Sequence, residues 1–164
     1  MKRLVLCLLF VTLSTGLSSA QDGNTLRRVK RALCNPGTWC PYGDREYLFV
    51  SDPRQWAYAQ LHCQAMDGTL AVIQNKPTNE FLRTLSSRMD AWIGLSDAQL
   101  DWVWLWINSE RAGFRNWCRG EPNNYGGNQH CTVMNYNGEN CWDDQDCTSY
   151  RPYICERTRA YTKY

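Results

Sequence analysis

The sequence predicts an α+β domain held by disulfides, and three observations carry that prediction. Two stretches with helical spacing of apolar residues lie early in the chain. Stretches with strand-like alternation dominate the later part. Eight cysteines remain once an N-terminal leader is set aside. Helices first and strands later is the order of an α+β domain, not of an alternating α/β fold.

The 164 residues suit one domain of ordinary size. Residues 1–20 have the form of a secretory signal peptide: Lys2 and Arg3, an apolar run from Leu4 to Leu13, then Ser18-Ser19-Ala20. That run is too short to span a bilayer as a helix, and no later stretch is apolar enough. Residues 21–31 are polar and end on Arg28-Val29-Lys30-Arg31, the dibasic form cut by secretory processing proteases. They are a candidate propeptide or, alternatively, a solvated basic arm. Residues 32–164 then form the domain. The formal charge of +2 falls to −3 if residues 1–31 leave, because they hold six basic residues and one acidic one. The whole-chain charge is therefore no argument for nucleic-acid or membrane binding.

Tyr47 to Val50 is a short strand candidate. Ser51-Asp52-Pro53 reads as a helix start, a capping residue followed by proline in the first turn. Trp56, Ala59, Cys63 and Met66 recur at helical spacing, and Gly68 ends the run. A second helix starts near Asn75, with Pro77 in its first turn and Phe81, Leu82 and Leu85 facing inward. Ala91-Trp92-Ile93-Gly94 opens the change in character. Trp102, Trp104 and Trp106 alternate with Val103 and Leu105, which suits a strand. Residues 108–130 are polar and rich in Asn and Gly, a long loop of the kind that is usually functional or disordered. Cys131 to Tyr136 and Tyr153-Ile154-Cys155 read as closing strands.

The chain has nine cysteines, and Cys7 leaves with the leader. The other eight stand at 34, 40, 63, 118, 131, 141, 147 and 155. An even count in a secreted chain points to disulfides; zinc ligation is the competing reading and would have to ignore the secretory context. Cysteines 118, 131, 141, 147 and 155 are threaded around Glu121-Pro122-Asn123 and Trp142-Asp143-Asp144. Two short segments rich in oxygen-bearing side chains, held together by disulfides, suit a hard cation such as Ca²⁺, which takes about six to eight oxygen ligands.

Together these residues resemble the C-type lectin-like domain over about residues 34–157. The landmarks are Trp39, Trp56 before Cys63, Gly68-Thr69-Leu70-Ala71, Trp92-Ile93-Gly94-Leu95, Trp104-Leu105-Trp106, Asn116-Trp117, Glu121-Pro122-Asn123, Trp142-Asp143-Asp144 and Cys155. The resemblance implies two helices, small antiparallel sheets and a long calcium-binding loop. It implies bridges Cys63–Cys155 and Cys131–Cys147. Cys118 and Cys141 look like the additional pair of fish type II antifreeze proteins and related fish lectins. One further bridge of those antifreeze proteins would fall at Ala98 and His130, where both cysteines are absent. The family's first bridge would place a cysteine at Glu46. Here Cys40 stands next to Trp39 instead, so a short Cys34–Cys40 loop is expected, with intermolecular pairing as the alternative.

By the same resemblance, Ca²⁺ is held by Glu121, Asn123, Gln129, Asp143 and Asp144, and Pro122 is cis. The sugar ligands are Glu121 with Asn123 for one hydroxyl of a vicinal diol, and Gln129 with Asp143 for the other. The family usually has Glu where Gln129 stands and Asn where Asp143 stands. Each pair still has one acceptor and one donor, but the second pair is reversed, an order that resembles the galactose type. Tyr125 and His130 border the site, as sugar contacts or as plain exposed loop residues. Trp92, Trp104, Trp106 and Trp117 fall on core positions, and Trp102 is a partly exposed strand residue.

These features predict a secreted, calcium-dependent lectin for glycans or microbial surfaces, with its oligomeric state left open. Ice binding is the alternative, from the antifreeze resemblance. An enzyme is not expected. His62 and His130 are the only histidines, no serine sits in a nucleophile motif, and the carboxylates are better used as metal ligands than as a glycosidase pair.

Overall fold

The computed structural model describes residue 34 and residues 37–160. The expected leader and the segment 21–31 lie outside the described residues. Strand β1 (Cys40–Tyr42) folds back antiparallel on β2 (Arg45–Arg54), pairing Cys40 with Tyr47.

Strand β2 runs through Ser51-Asp52-Pro53, where the sequence suggests a helix start. The reason is its partner, β8 (Arg151–Thr158). The two pair from Arg45↔Thr158 to Val50↔Tyr153, slip register, and pair again at Arg54↔Arg151. Pro53 falls within the slip, where its missing N–H costs no ladder hydrogen bond. Helix α1 is therefore Trp56–Gln64, with Gln55 at its N-cap and no side-chain cap. It buries Ala59, Gln60 and Cys63. Met66 lies past its end, partly buried against the same core. A side chain at Gly68 would collide with the Glu156 carbonyl oxygen of β8. Glycine there lets β3 (Thr69–Leu70) lie on β8.

Helix α2 (Lys76–Leu85) starts where the sequence places it. Asn75 accepts the Thr78 N–H at 2.9 Å and Pro77 sits in the first turn. Leu82 is fully buried, with Phe81 and Leu85 partly buried beside it. Strand β4 (Ala91–Ser96) is buried up to Leu95. Gly94 is needed there: a Cβ would meet the Leu70 carbonyl oxygen at 2.8 Å.

Strand β5 is only Leu105–Trp106, shorter than the tryptophan alternation suggests. Residues 97–103 curl into two successive turns, Leu100 N–H to Asp97 O and Val103 N–H to Leu100 O. Trp102 is thus a turn residue with φ of +67° and is 58% exposed, not a strand residue. Trp92, Trp104 and Trp106 are buried, and Trp117 is partly buried against the core.

Strands β6 (Cys131–Met134) and β7 (Trp142–Gln145) complete the sheet. Its order is β1-β2-β8-β4-β6-β7, with β3 on β8 and β5 on β4. Pairings are antiparallel except β4 with β8, which meet in parallel at Trp92↔Tyr153. That contact joins the expected small antiparallel sheets into one mixed sheet. The structure pairs Cys34 with Cys40, Cys63 with Cys155, Cys118 with Cys141 and Cys131 with Cys147. Among the described residues, no helix is long and apolar enough to cross a membrane.

Candidate cation and ligand site

Two segments build the site, and the core holds both. Trp142 is fully buried at the head of β7. Its ring meets Trp106, Phe114 and Trp117 edge-on, and its Nε1 donates to Asn79 Oδ1 at 2.8 Å. Strand β7 pairs Asp144 with Thr132 and Asp143 with Val133 of β6, so both aspartates stand on a ladder. Glu121 comes from the long loop, which is tied to β7 beside it. Cys118 N–H donates to Trp142 O at 2.8 Å, Trp142 N–H to Asn116 O at 2.8 Å, and the Cys118–Cys141 disulfide bridges the two segments. The Glu121–Pro122 bond is cis.

Carboxylate oxygens of Glu121, Asp143 and Asp144 lie within 4.8 Å of one another. Asp144 is fully buried, and its oxygens accept the N–H groups of Asn123 at 2.9 Å and Asn124 at 2.7 Å. Asp143 Oδ2 accepts from Gln145 Nε2 at 2.5 Å. Glu121 Oε2 is buried and has no partner. Burial, with the neighbouring charges of Asp143 and Asp144, pushes the Glu121 carboxyl up to about 7. Burial also raises Asp143 above the usual carboxylate range. Crowded like charges disfavour ionisation unless a cation is near. A buried carboxylate oxygen without a donor, inside an all-oxygen acidic cluster, fits a hard cation.

The two expected amide ligands share one backbone donor. Asn123 Oδ1 and Gln129 Oε1 both accept the Tyr125 N–H, each at 2.7 Å. Gln129 N–H donates to Asn124 Oδ1 at 2.9 Å. Asn123 thus abuts the carboxylate cluster through its own N–H on Asp144, and Gln129 joins through the loop. Tyr125 is 82% exposed. His130 Nδ1 lies 3.0 Å from Asp97 Oδ1, and its carbonyl accepts from Ser96 Oγ at 2.7 Å and the Asp97 N–H at 3.2 Å. These contacts knit together the place where Ala98 and His130 lack the antifreeze-type bridge.

Three residues of the site escape the sequence reading. Asn124 supplies both a backbone donor and a side-chain acceptor to the loop. Gln145 and Arg151 stand behind Asp143. Gln145 lies two residues after Asp143, so strand periodicity alone would have put it on the same face.

Residues 52–157 match the family described as the lectin C-type domain. The chain belongs to the C-type lectin domain family. This is a family of carbohydrate-binding domains, and its members here include fish proteins. Ladderlectin from Oncorhynchus mykiss is 31% identical over 140 residues, which are 82% of this chain and 73% of that protein. The herring type II antifreeze protein superposes with a TM-score of 0.71 at 29% identity, covering 77% of this chain and 100% of the other. The mouse scavenger receptor C-type lectin carbohydrate-recognition domain also gives 0.71, at 26% identity, with coverage of 77% and 99%.

Proposed function

We propose that this C-type lectin domain is secreted and binds a vicinal diol of a terminal sugar through Ca²⁺. The observation that carries the reading is the three-carboxylate cluster with its partnerless buried Glu121 Oε2. Glu121, Asn123, Gln129, Asp143 and Asp144 would hold the ion. Bound Ca²⁺ would supply coordination positions for the two hydroxyl oxygens. Glu121 and Asp143 would accept hydroxyl protons, while Asn123 and Gln129 would coordinate the ion through the same amide oxygens that accept the Tyr125 N–H, leaving their amide nitrogens as donors. Glycans or microbial surfaces would be the partners. Secretion rests on the leader-like residues 1–20, with 21–31 removed as a propeptide; the mass of the chain recovered from culture medium tests both cuts.

The test of the site is retention on mannose and galactose resins, with and without chelator. Retention that chelator abolishes supports the reading. Retention unaffected by chelator, or none on any sugar resin, would overturn it.

The herring antifreeze likeness and the formed Cys118–Cys141 bridge favour ice binding as the second reading. Thermal hysteresis measured at concentrations that give sugar retention separates the two. Sugar retention without hysteresis is expected.

A further inference from the structure

Asp143 is 3% exposed, and one of its oxygens is already engaged. Gln145 Nε2 donates to Asp143 Oδ2 at 2.5 Å. The Gln145 amide is gripped at its other end as well, where Oε1 accepts from Arg151 Nη2 at 2.6 Å. A guanidinium only donates, so the Gln145 oxygen must face Arg151 and its nitrogen must face Asp143. Flipping the amide would break both bonds. Arg151 is anchored in turn. Its Nη1 donates to Asp90 Oδ2 at 3.1 Å, and its guanidinium lies over the Trp92 ring, 5.7 Å from the centroid. The four side chains form a relay in which Arg151 donates both to Asp90 and to Gln145, and Gln145 donates onward to Asp143.

We infer that Gln145, oriented by Arg151, is a positioning residue for the cation site: it binds one oxygen of Asp143 and leaves the other as the oxygen Asp143 offers to Ca²⁺. This rests on the calcium reading above. Groups that orient metal-ligating carboxylates change metal affinity by about tenfold to a hundredfold when removed.

Gln145→Glu tests the relay against plain electrostatics. The new side chain has the same length and still accepts from Arg151, but it cannot donate to Asp143. An added negative charge beside the ion would by itself tighten cation binding. The relay requires the reverse, a Ca²⁺ Kd raised by about tenfold or more. Gln145→Leu, which adds no charge, is expected to weaken binding similarly and covers the case in which Gln145→Glu does not fold. The double variant Asp143→Asn with Gln145→Glu restores one hydrogen bond with its direction reversed, so it should recover most of the loss, a coupling that additivity does not give. The Kd is read by calorimetry on the full chain, and the melting temperature in chelator is measured alongside. A parent chain that binds no Ca²⁺ sinks both the calcium reading and this inference. A parent that binds, with Gln145→Glu binding as tightly or more tightly, overturns the inference alone. A lower melting temperature in chelator with Kd unchanged in both single variants also overturns it, because Gln145 would then serve only the fold.

Discussion

Asp144 ties the loop to the sheet and belongs to the carboxylate cluster at once. Its two oxygens take the consecutive N–H groups of Asn123 and Asn124, which fixes the chain just after the cis Glu121–Pro122 bond. Asp144→Ala removes both acceptors. The expected loss is on the order of 2 kcal/mol of stability, from backbone donors left without partners, together with loss of any Ca²⁺-induced rise in melting temperature. Urea unfolding and thermal melts check the two parts separately. An Asp144→Ala protein that keeps the full calcium shift would remove Asp144 from the ligand set. The reversed pair Gln129/Asp143 makes a second residue-scale prediction. Gln129→Glu and Asp143→Asn each leave one hydroxyl facing two acceptors or two donors, so each alone should bind sugar poorly. The double variant should recover and shift preference from galactose toward mannose. Competition with free mannose and free galactose reads the result. Unchanged preference in the double variant would show that donor order does not set specificity.

At the scale of elements, the site depends on how the long loop is fastened to β7. Trp142 seats the strand in the aromatic core, while Cys118–Cys141 closes a loop of sequence separation 23 across the two segments. In the chain-entropy account such a closure contributes about 3 kcal/mol. Replacing both cysteines by serine should lower stability by about that amount and weaken Ca²⁺ binding, because Glu121 and Asp143 would no longer be tethered close together. Equilibrium unfolding and calcium calorimetry on the double variant measure both effects. Non-reducing peptide mapping of the parent should recover 118 linked to 141. Calcium affinity unchanged in the double variant would show that backbone hydrogen bonds such as Cys118 N–H to Trp142 O hold the segments unaided.

For the whole molecule, the cluster links pH, calcium and stability. Glu121 is raised from its ordinary 4.5 to about 7 in the folded, cation-free protein. The folded state therefore holds this proton more tightly than the unfolded chain does. The resulting stabilisation is present below about pH 4.5 and is lost as pH rises through about 7. In the proposed calcium reading the ion takes the place of the proton, so the gain in melting temperature on adding Ca²⁺ should be small near pH 5 and largest above pH 7. Buried Glu156 is also raised, chiefly by burial, and gives a slope of the same sign. It lies outside the cluster, so its slope should be the same with and without calcium. The difference between calcium and chelator melts across pH isolates the cluster, in which Glu121 and Asp143 are both raised. A calcium gain independent of pH would place the ion away from Glu121.

Much of this molecule follows from local chemistry that a sequence displays. The Asn75 cap with Pro77 marks α2 because a side-chain acceptor and a missing N–H are local facts. The cysteine count and the Glu121, Asp143 and Asp144 cluster are legible because residue type alone states what each can bind. Pairing decided the rest. Ser51-Asp52-Pro53 has the local form of a helix start, yet the β8 pairs on either side of it, Val50↔Tyr153 and Arg54↔Arg151, hold it extended, since pairing with a distant segment outweighs a local cap. Trp102 alternates with Trp104 and Trp106 in sequence, but Asp97 takes its N–H at 2.8 Å and holds it in a turn. Strand periodicity puts Gln145 on the face of Asp143, but only the fold brings Arg151 of β8 to it. A relay depends on which donor meets which acceptor, and sequence order does not contain that.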